Sequence, residues 1–269
     1  MSTLQASGVE RIAQAFASTE KRAALMPYVM AGFPTLAESV RIGEACIEAG
    51  ADVIELGVPY SDPLADGPLI HAAGTAALAA GANMAGVLEV ARALAPRLPV
   101  VLMCYANMVF APGVEAFVSR LARTDACGLI VPDLPQGEGP EVLAACERAG
   151  LALVPLAAPT TTPERLAAIG AQAQGFLYTV SVVGTTGERS SLGASFAEVV
   201  AKAKACTEVP VALGFGIATP EQATQAAEAG ADGVIVGTRL VRAAGEAEDP
   251  AAAVGALVSE LAAGLARAS

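Results

Sequence analysis

Eight short apolar runs recur along the chain, each followed by a stretch whose apolar residues fall at helical spacing. The runs cover residues 26–31, 53–58, 100–105, 128–132, 152–156, 175–181, 211–214 and 233–237. Residues 36–49, 85–95, 114–122, 141–149, 164–169, 196–206, 221–229 and 251–266 put apolar side chains on one face and charges on the other. Strands this apolar, joined by helix-length crossovers, require a parallel sheet covered by helices. Eight such units match the number at which a parallel sheet closes on itself, whereas a doubly wound sheet usually stops nearer six.

The expected fold is therefore α/β: a (β/α)8 TIM barrel with an additional N-terminal helix over residues 8–19. A length of 269 residues would permit two domains, but no Ser/Gly-rich linker and no shift in composition divides the chain, so residues 1–269 are read as one barrel domain. Hydrophobic residues make up 54% of the chain and aromatics only 4%, so the core must be aliphatic. The string Glu48-Ala49-Gly50-Ala51-Asp52 before the second run returns as Glu228-Ala229-Gly230-Ala231-Asp232 before the eighth, with a shorter echo at Arg148-Ala149-Gly150. Each copy reads as a helix ending on a left-handed glycine and turning tightly into a strand.

A formal charge of -11, spread along the chain, repels phosphate backbones and anionic lipid, so nucleic acid and membranes are not expected partners. A small anion remains compatible, because backbone N–H dipoles hold a phosphate locally whatever the net charge. Cys46, Cys104, Cys127, Cys146 and Cys206 form an odd set without C-x-x-C spacing, the pattern of reduced core thiols in a cytoplasmic protein. No signal peptide and no apolar run of membrane-spanning length is evident.

In a barrel, chemistry belongs just past the C-terminal ends of the strands. There the second run, Val53-Ile54-Glu55-Leu56-Gly57-Val58-Pro59, carries a carboxylate inside an apolar segment, and the predicted strands offer almost no Lys or Arg to pair with it. Apolar burial raises such a pKa toward neutrality, where one carboxyl both gives and takes a proton. The following loop holds Asp62 and Asp66 among Pro59, Pro63, Gly67 and Pro68, and either acid is placed to face the barrel axis. Three glycine-bearing segments follow the last three strands: Gly184-Thr185-Thr186-Gly187, Gly214-Phe215-Gly216-Ile217 and Gly237-Thr238. Loops after strands seven and eight, with a short extra helix, form the recurrent phosphate site of these barrels, so the expected substrate is a small phosphomonoester. The sole histidine, His71, cannot build a His-rich metal site and is read as a capped or solvated helix residue.

With these positions placed, the strings Glu55-Leu56-Gly57-Val58-Pro59-Tyr60-Ser61-Asp62-Pro63-Leu64-Ala65-Asp66-Gly67-Pro68, Met103-Cys104-Tyr105-Ala106-Asn107 and Gly214-Phe215-Gly216-Ile217 closely resemble the α-subunit family of tryptophan synthase. The resemblance runs from about Arg11 to Arg267. It implies a lyase that cleaves indole-3-glycerol phosphate to indole and glyceraldehyde 3-phosphate, a retro-aldol-like step in tryptophan biosynthesis with no metal and no organic cofactor in this chain. It further implies that Glu55 is the acid and base, that Asp66 rather than Asp62 accepts the indole N–H, and that Tyr178 stands beside the substrate. Gly187, Gly216, Gly237 and Thr238 match its phosphate contacts, Tyr28, Ile70, Tyr105, Phe215 and Ile235 its indole pocket, and Thr186 a mobile-loop threonine that engages the aspartate. Departures from enteric-type members stand at Val182, in place of arginine, and Met30, in place of threonine.

The resemblance also implies a partner, a pyridoxal-phosphate-containing β subunit in an α2β2 heterotetramer, docked on the end of the barrel that carries Pro59, Asp62, Asn107 and Phe110. Two alternatives share these motifs: a free-standing indole-3-glycerol phosphate lyase, and a largely regulatory ligand-binding partner of a β subunit. A metal-dependent sugar-phosphate epimerase lacks its histidines here, and an indole-3-glycerol-phosphate synthase its strand lysine.

Overall fold

The computed structural model describes residues 6–180, 192–214 and 216–267. In chain order these form α1 (Gly8–Ser18), β1 (Ala24–Met30), α2 (Leu36–Glu48), β2 (Ile54–Gly57), α3 (Pro68–Ala79), α4 (Met84–Leu94), β3 (Val100–Met103), α5 (Ala106–Phe110), α6 (Val114–Ala122), β4 (Gly128–Ile130) and α7 (Pro140–Ala149). Then come β5 (Ala152–Val154), β6 (Leu156–Ala157), α8 (Pro163–Ala171), β7 (Leu177–Val180), α9 (Leu192–Lys204), β8 (Val211–Gly214), α10 (Pro220–Glu228), β9 (Gly233–Val236), α11 (Thr238–Glu246) and α12 (Pro250–Gly264).

All strand pairs are parallel, in the order β5-β4-β3-β2-β1-β9-β8-β7-β6. The nine strands correct the expected eight only at the fifth run, where Pro155 has no N–H to donate and divides one strand into β5 and β6. β5 pairs with β4 and β6 with β7, while the Pro155 carbonyl accepts the Tyr178 N–H at 3.0 Å, so this broken strand closes the sheet on itself. The result is the expected TIM barrel. Among the described residues no single helix is long and apolar enough to cross a membrane.

Alternation along each strand divides the core in two. Leu25, Val29, Ile54, Leu56, Val100, Leu102, Val211 and Leu213 pack outward with the helices, whereas Met26, Val53, Val101, Ile130, Ala152, Phe176 and Ala212 pack together inside the barrel. Helix α1 begins at a capping box between Ser7 and Glu10 and sends Ile12 into the inner cluster, with Phe16 against Phe176. Arg11 is tied to the carbonyls of Ala95 and Asp125. The N-terminal mouth of the barrel is thereby plugged, which leaves the other mouth for a ligand.

The repeated Ala-Gly-Ala-Asp turns build one device twice. Gly50 and Gly230 take φ of +97° and +94°, and the shorter echo Gly150 takes +70°, as the left-handed reading requires. Asp52 donates its N–H to the Leu25 carbonyl at 2.9 Å, accepts the Leu25 N–H at 2.6 Å and pairs with Lys21 at 3.0 Å. Asp232 repeats this on Val211 at 2.8 and 2.9 Å, with Lys204 at 2.8 Å. Replacing Asp52 by Ala leaves a strand N–H and an ammonium without their partner, an expected loss of about 1–3 kcal/mol in a denaturant titration. Asp232→Ala should cost less, because that pair is more exposed. Equal, negligible losses at both positions would mean the turns are set by glycine alone.

Candidate active site

The inner face of β2 places Glu55 beside Tyr28 of β1 and Val101 of β3, in register with both. Glu55 is 1% exposed, and its Oε2 has no hydrogen-bond partner. Desolvation alone pushes its pKa up to about 8. A bare carboxylate in this position would cost several kcal/mol, so the group rests protonated at neutral pH.

Two tyrosines flank it, and each needs a glycine on the adjacent strand. The Tyr28 ring lies over Gly57, where a Cβ would stand 2.0 Å from its Oη, and the Tyr178 ring lies over Gly214, where a Cβ would stand 2.6 Å from its Oη. Burial first, then the nearby Glu55 charge, holds the phenol of Tyr178 well above its usual range. For Tyr28 the order is burial, Asp66 and then Glu55. Both phenols stay protonated donors.

The loop after β2 is fixed from the N-cap of α5. Tyr105 donates its hydroxyl to Asp66 at 2.8 Å, accepts the Ala65 N–H at 3.0 Å, and stacks on Tyr60 with ring centroids 5.2 Å apart. Burial raises the Asp66 pKa, while the Tyr105 hydrogen bond and His71 pull it back. Asp66 faces the barrel mouth; Asp62 is exposed and bonded to Ser61. His71 lies exposed in the first turn of α3, as expected of a solvated helix residue.

A cavity of about 1060 Å³ occupies this mouth. Its lining brings together Glu55, Asp66, Tyr28, Tyr178, Ile70 and Ile235 with Gly216, Gly237 and Thr238. Gly216 takes φ of +84°, and Gly237 begins α11 without a side-chain cap, leaving the first amides of that helix for a ligand. The two glycine segments therefore converge on the same space as the buried carboxyl.

Some expectations need correction. Tyr105 is not among the lining residues and acts one layer back, through Asp66. Pro59 is buried, so of the four proposed docking residues only Asp62, Asn107 and Phe110 are exposed. Thr186, Gly187, Phe215 and Val182 lie outside the described residues. The sequence reading missed Met103, Val180 and Leu156 on the walls, which strand alternation from Val101 and Tyr178 would have found for the first two. It also missed Arg165, Arg239 and Arg242 on the rim, and Leu64, 84% exposed in the loop after β2. All five cysteines are free, and four are buried.

The sequence model of one family, the tryptophan synthase alpha chain, matches residues 15–268. The chain is 46% identical over 246 residues to the tryptophan synthase alpha chain of Gloeobacter violaceus, covering 90% of this chain and 88% of that one. It is 43% identical over 260 residues to that of Methanosarcina acetivorans, covering 96% and 95%. Among solved structures, a tryptophan synthase chain of Mycobacterium tuberculosis superposes with a TM-score of 0.88 at 40% identity, covering 98% of this chain and 100% of that one. A chain from the tryptophan synthase α2β2 complex of Pyrococcus furiosus gives 0.84 at 33% identity, covering 90% and 98%.

Proposed function

The chain belongs to the tryptophan synthase alpha chain family, and from that membership we propose that it cleaves indole-3-glycerol phosphate to indole and glyceraldehyde 3-phosphate. The observation that carries this reading is a fully buried, unpaired carboxyl on the inner face of β2, opening into the same cavity as two converging glycine turns. The carboxyl supplies the proton, and the turns supply the anion cradle.

In this scheme the phosphate sits on Gly216 and at the start of α11, and the indole lies toward Asp66 among Tyr28, Ile70 and Ile235. Protonated Glu55 delivers its proton to C3 of the indole ring. The indolenine so formed carries positive charge at its N–H, which Asp66, held by Tyr105, accepts. The Glu55 carboxylate then takes the glycerol hydroxyl proton as the C3–carbon bond breaks. The bonding pair returns to the ring, the hydroxyl carbon becomes the aldehyde, and Glu55 ends protonated, ready for another turnover. Tyr178 lies beside the reacting carbon.

No step calls for a metal or organic cofactor in this chain; pyridoxal phosphate belongs to the β subunit. The chain works as the alpha chain of an α2β2 complex, docked through Asp62, Asn107 and Phe110, with Leu64 adding the apolar surface that the first two lack. Indole release from indole-3-glycerol phosphate by the purified chain, measured with and without a tryptophan synthase β subunit, tests the reading. Indole is expected in both arms and faster with the β subunit. No indole in either arm would overturn the lyase reading, and equal rates would turn the assignment to a free-standing lyase.

A further inference from the structure

Only three lysines or arginines among the described residues form no side-chain ion pair or hydrogen bond there: Arg120, Arg165 and Arg239. Two of the three, Arg165 and Arg239, line the cavity, in a chain whose net charge is -11 and whose other described cations, Arg120 apart, are matched to carboxylates, carbonyls or, for Arg123, the Ser119 hydroxyl. Unpaired cations gathered on one cavity of so acidic a protein need an explanation.

Arg239 occupies the least favourable position of the pair. It is the second residue of α11, at the positive end of the helix, where a carboxylate is stabilising and a cation is not. Helices α1, α2, α7 and α10 follow that rule with Glu10, Glu38, Glu141 and Glu221 in their first turns, whereas α11 has no acid there. Arg242, one turn on, also lines the cavity, and its only ion pair is with Glu246 at 3.8 Å. A helix start bearing an unmatched cation becomes favourable once an anion with more than one negative charge sits against it. The unpartnered, buried Oε2 of Glu55 in the same cavity marks it independently as a ligand site.

We propose that the Arg239 guanidinium binds the phosphoryl group of the substrate, neutralising the charge that the glycine-turn amides alone leave uncompensated. This makes Arg239 a specificity-determining residue for a dianionic phosphomonoester over a neutral analogue, and it rests on the substrate reading given above. The backbone amides fix where the phosphate sits, and the guanidinium sets how strongly its charge is selected.

The test compares Arg239→Gln, Arg239→Lys and Arg120→Gln in the full-length chain. Arg120→Gln removes one positive charge from a residue that does not line the cavity. Calorimetric binding of glycerol 3-phosphate and of indole is measured at low and high salt, together with indole-release kinetics. Arg239→Gln should weaken glycerol 3-phosphate about tenfold, raise KM for indole-3-glycerol phosphate by a similar factor and keep kcat within about twofold, the scale of one charge-assisted hydrogen bond. Its affinity should also depend less on salt. Indole binding should be unchanged, Arg239→Lys should recover most of the loss, and Arg120→Gln should match the parent chain. Unchanged glycerol 3-phosphate affinity in Arg239→Gln would overturn the proposal, as would an equal loss of indole affinity or an equal effect of Arg120→Gln. Failure of the lyase reading shows differently, as a parent chain that binds glycerol 3-phosphate and releases no indole.

Discussion

Glu55→Gln is expected to lower indole release by at least about a hundredfold while leaving substrate affinity within about tenfold. Glutamine keeps the size and the hydrogen-bonding edge of the carboxyl but cannot give its proton to C3 or take one from the hydroxyl. The substrate meets a nearly unchanged wall, so the loss should fall on kcat. Indole release at the parent rate would remove Glu55 from the chemistry.

The same burial sets two pH dependences of known sign. In the free protein Glu55 holds its proton up to about pH 8, so kcat/KM for a step that begins with the protonated carboxyl should be level below that pH and fall above it. For stability, the folded-state pKa lies above the unfolded value of 4.5. Between those two values the folded chain binds a proton that the unfolded chain has lost, so stability declines as pH rises through the window and levels off above it. Glutamine has no such term. The inactive variant should therefore be the more stable one above pH 8, by at most about 5 kcal/mol, and unfolding curves for both proteins at pH 5 and pH 9 show this directly. The acid proposed for the chemistry is a strain on the fold that carries it.

How much of this was legible in the sequence depends on the range of the interaction. Strands and helices follow from local periodicity, and the Ala-Gly-Ala-Asp turns announce themselves because a left-handed residue tolerates little but glycine. Glu55 stands out because an acid in an apolar run is anomalous without any partner being known. The break at Pro155 was equally local, since proline cannot donate to a ladder, yet the apolar run around it hid the signal. Helix α11 starts directly at the end of β9, so no loop composition marked it. What the sequence cannot show is pairing over distance. The bond from Tyr105 to Asp66 spans 39 residues, and Arg239 becomes notable only once most of the other cations are seen to be matched. Family resemblance suggested which groups react and left unmentioned what holds them in place.

Gly57→Ala tests that supporting layer, and a loss of indole release of about a hundredfold is expected from one added methyl group. The new Cβ would lie 2.0 Å from the Tyr28 Oη, 2.4 Å from Cζ and 2.7 Å from Cε2, so no small torsion clears it. Tyr28 belongs to a buried cluster with Met30 and Val241 and lines the cavity, where its displaced ring would take the place of the indole beside Glu55. Overpacking of this kind costs about 1–3 kcal/mol of stability, so the fold should survive while the site closes. Pairing the change with Tyr28→Leu separates the two effects. Removing the ring should restore most of the melting temperature, but it also removes a wall of the pocket, so activity should not return in step. Parent-level activity in Gly57→Ala alone would show that Tyr28 has somewhere else to go and that the β1–β2 register does not confine the site.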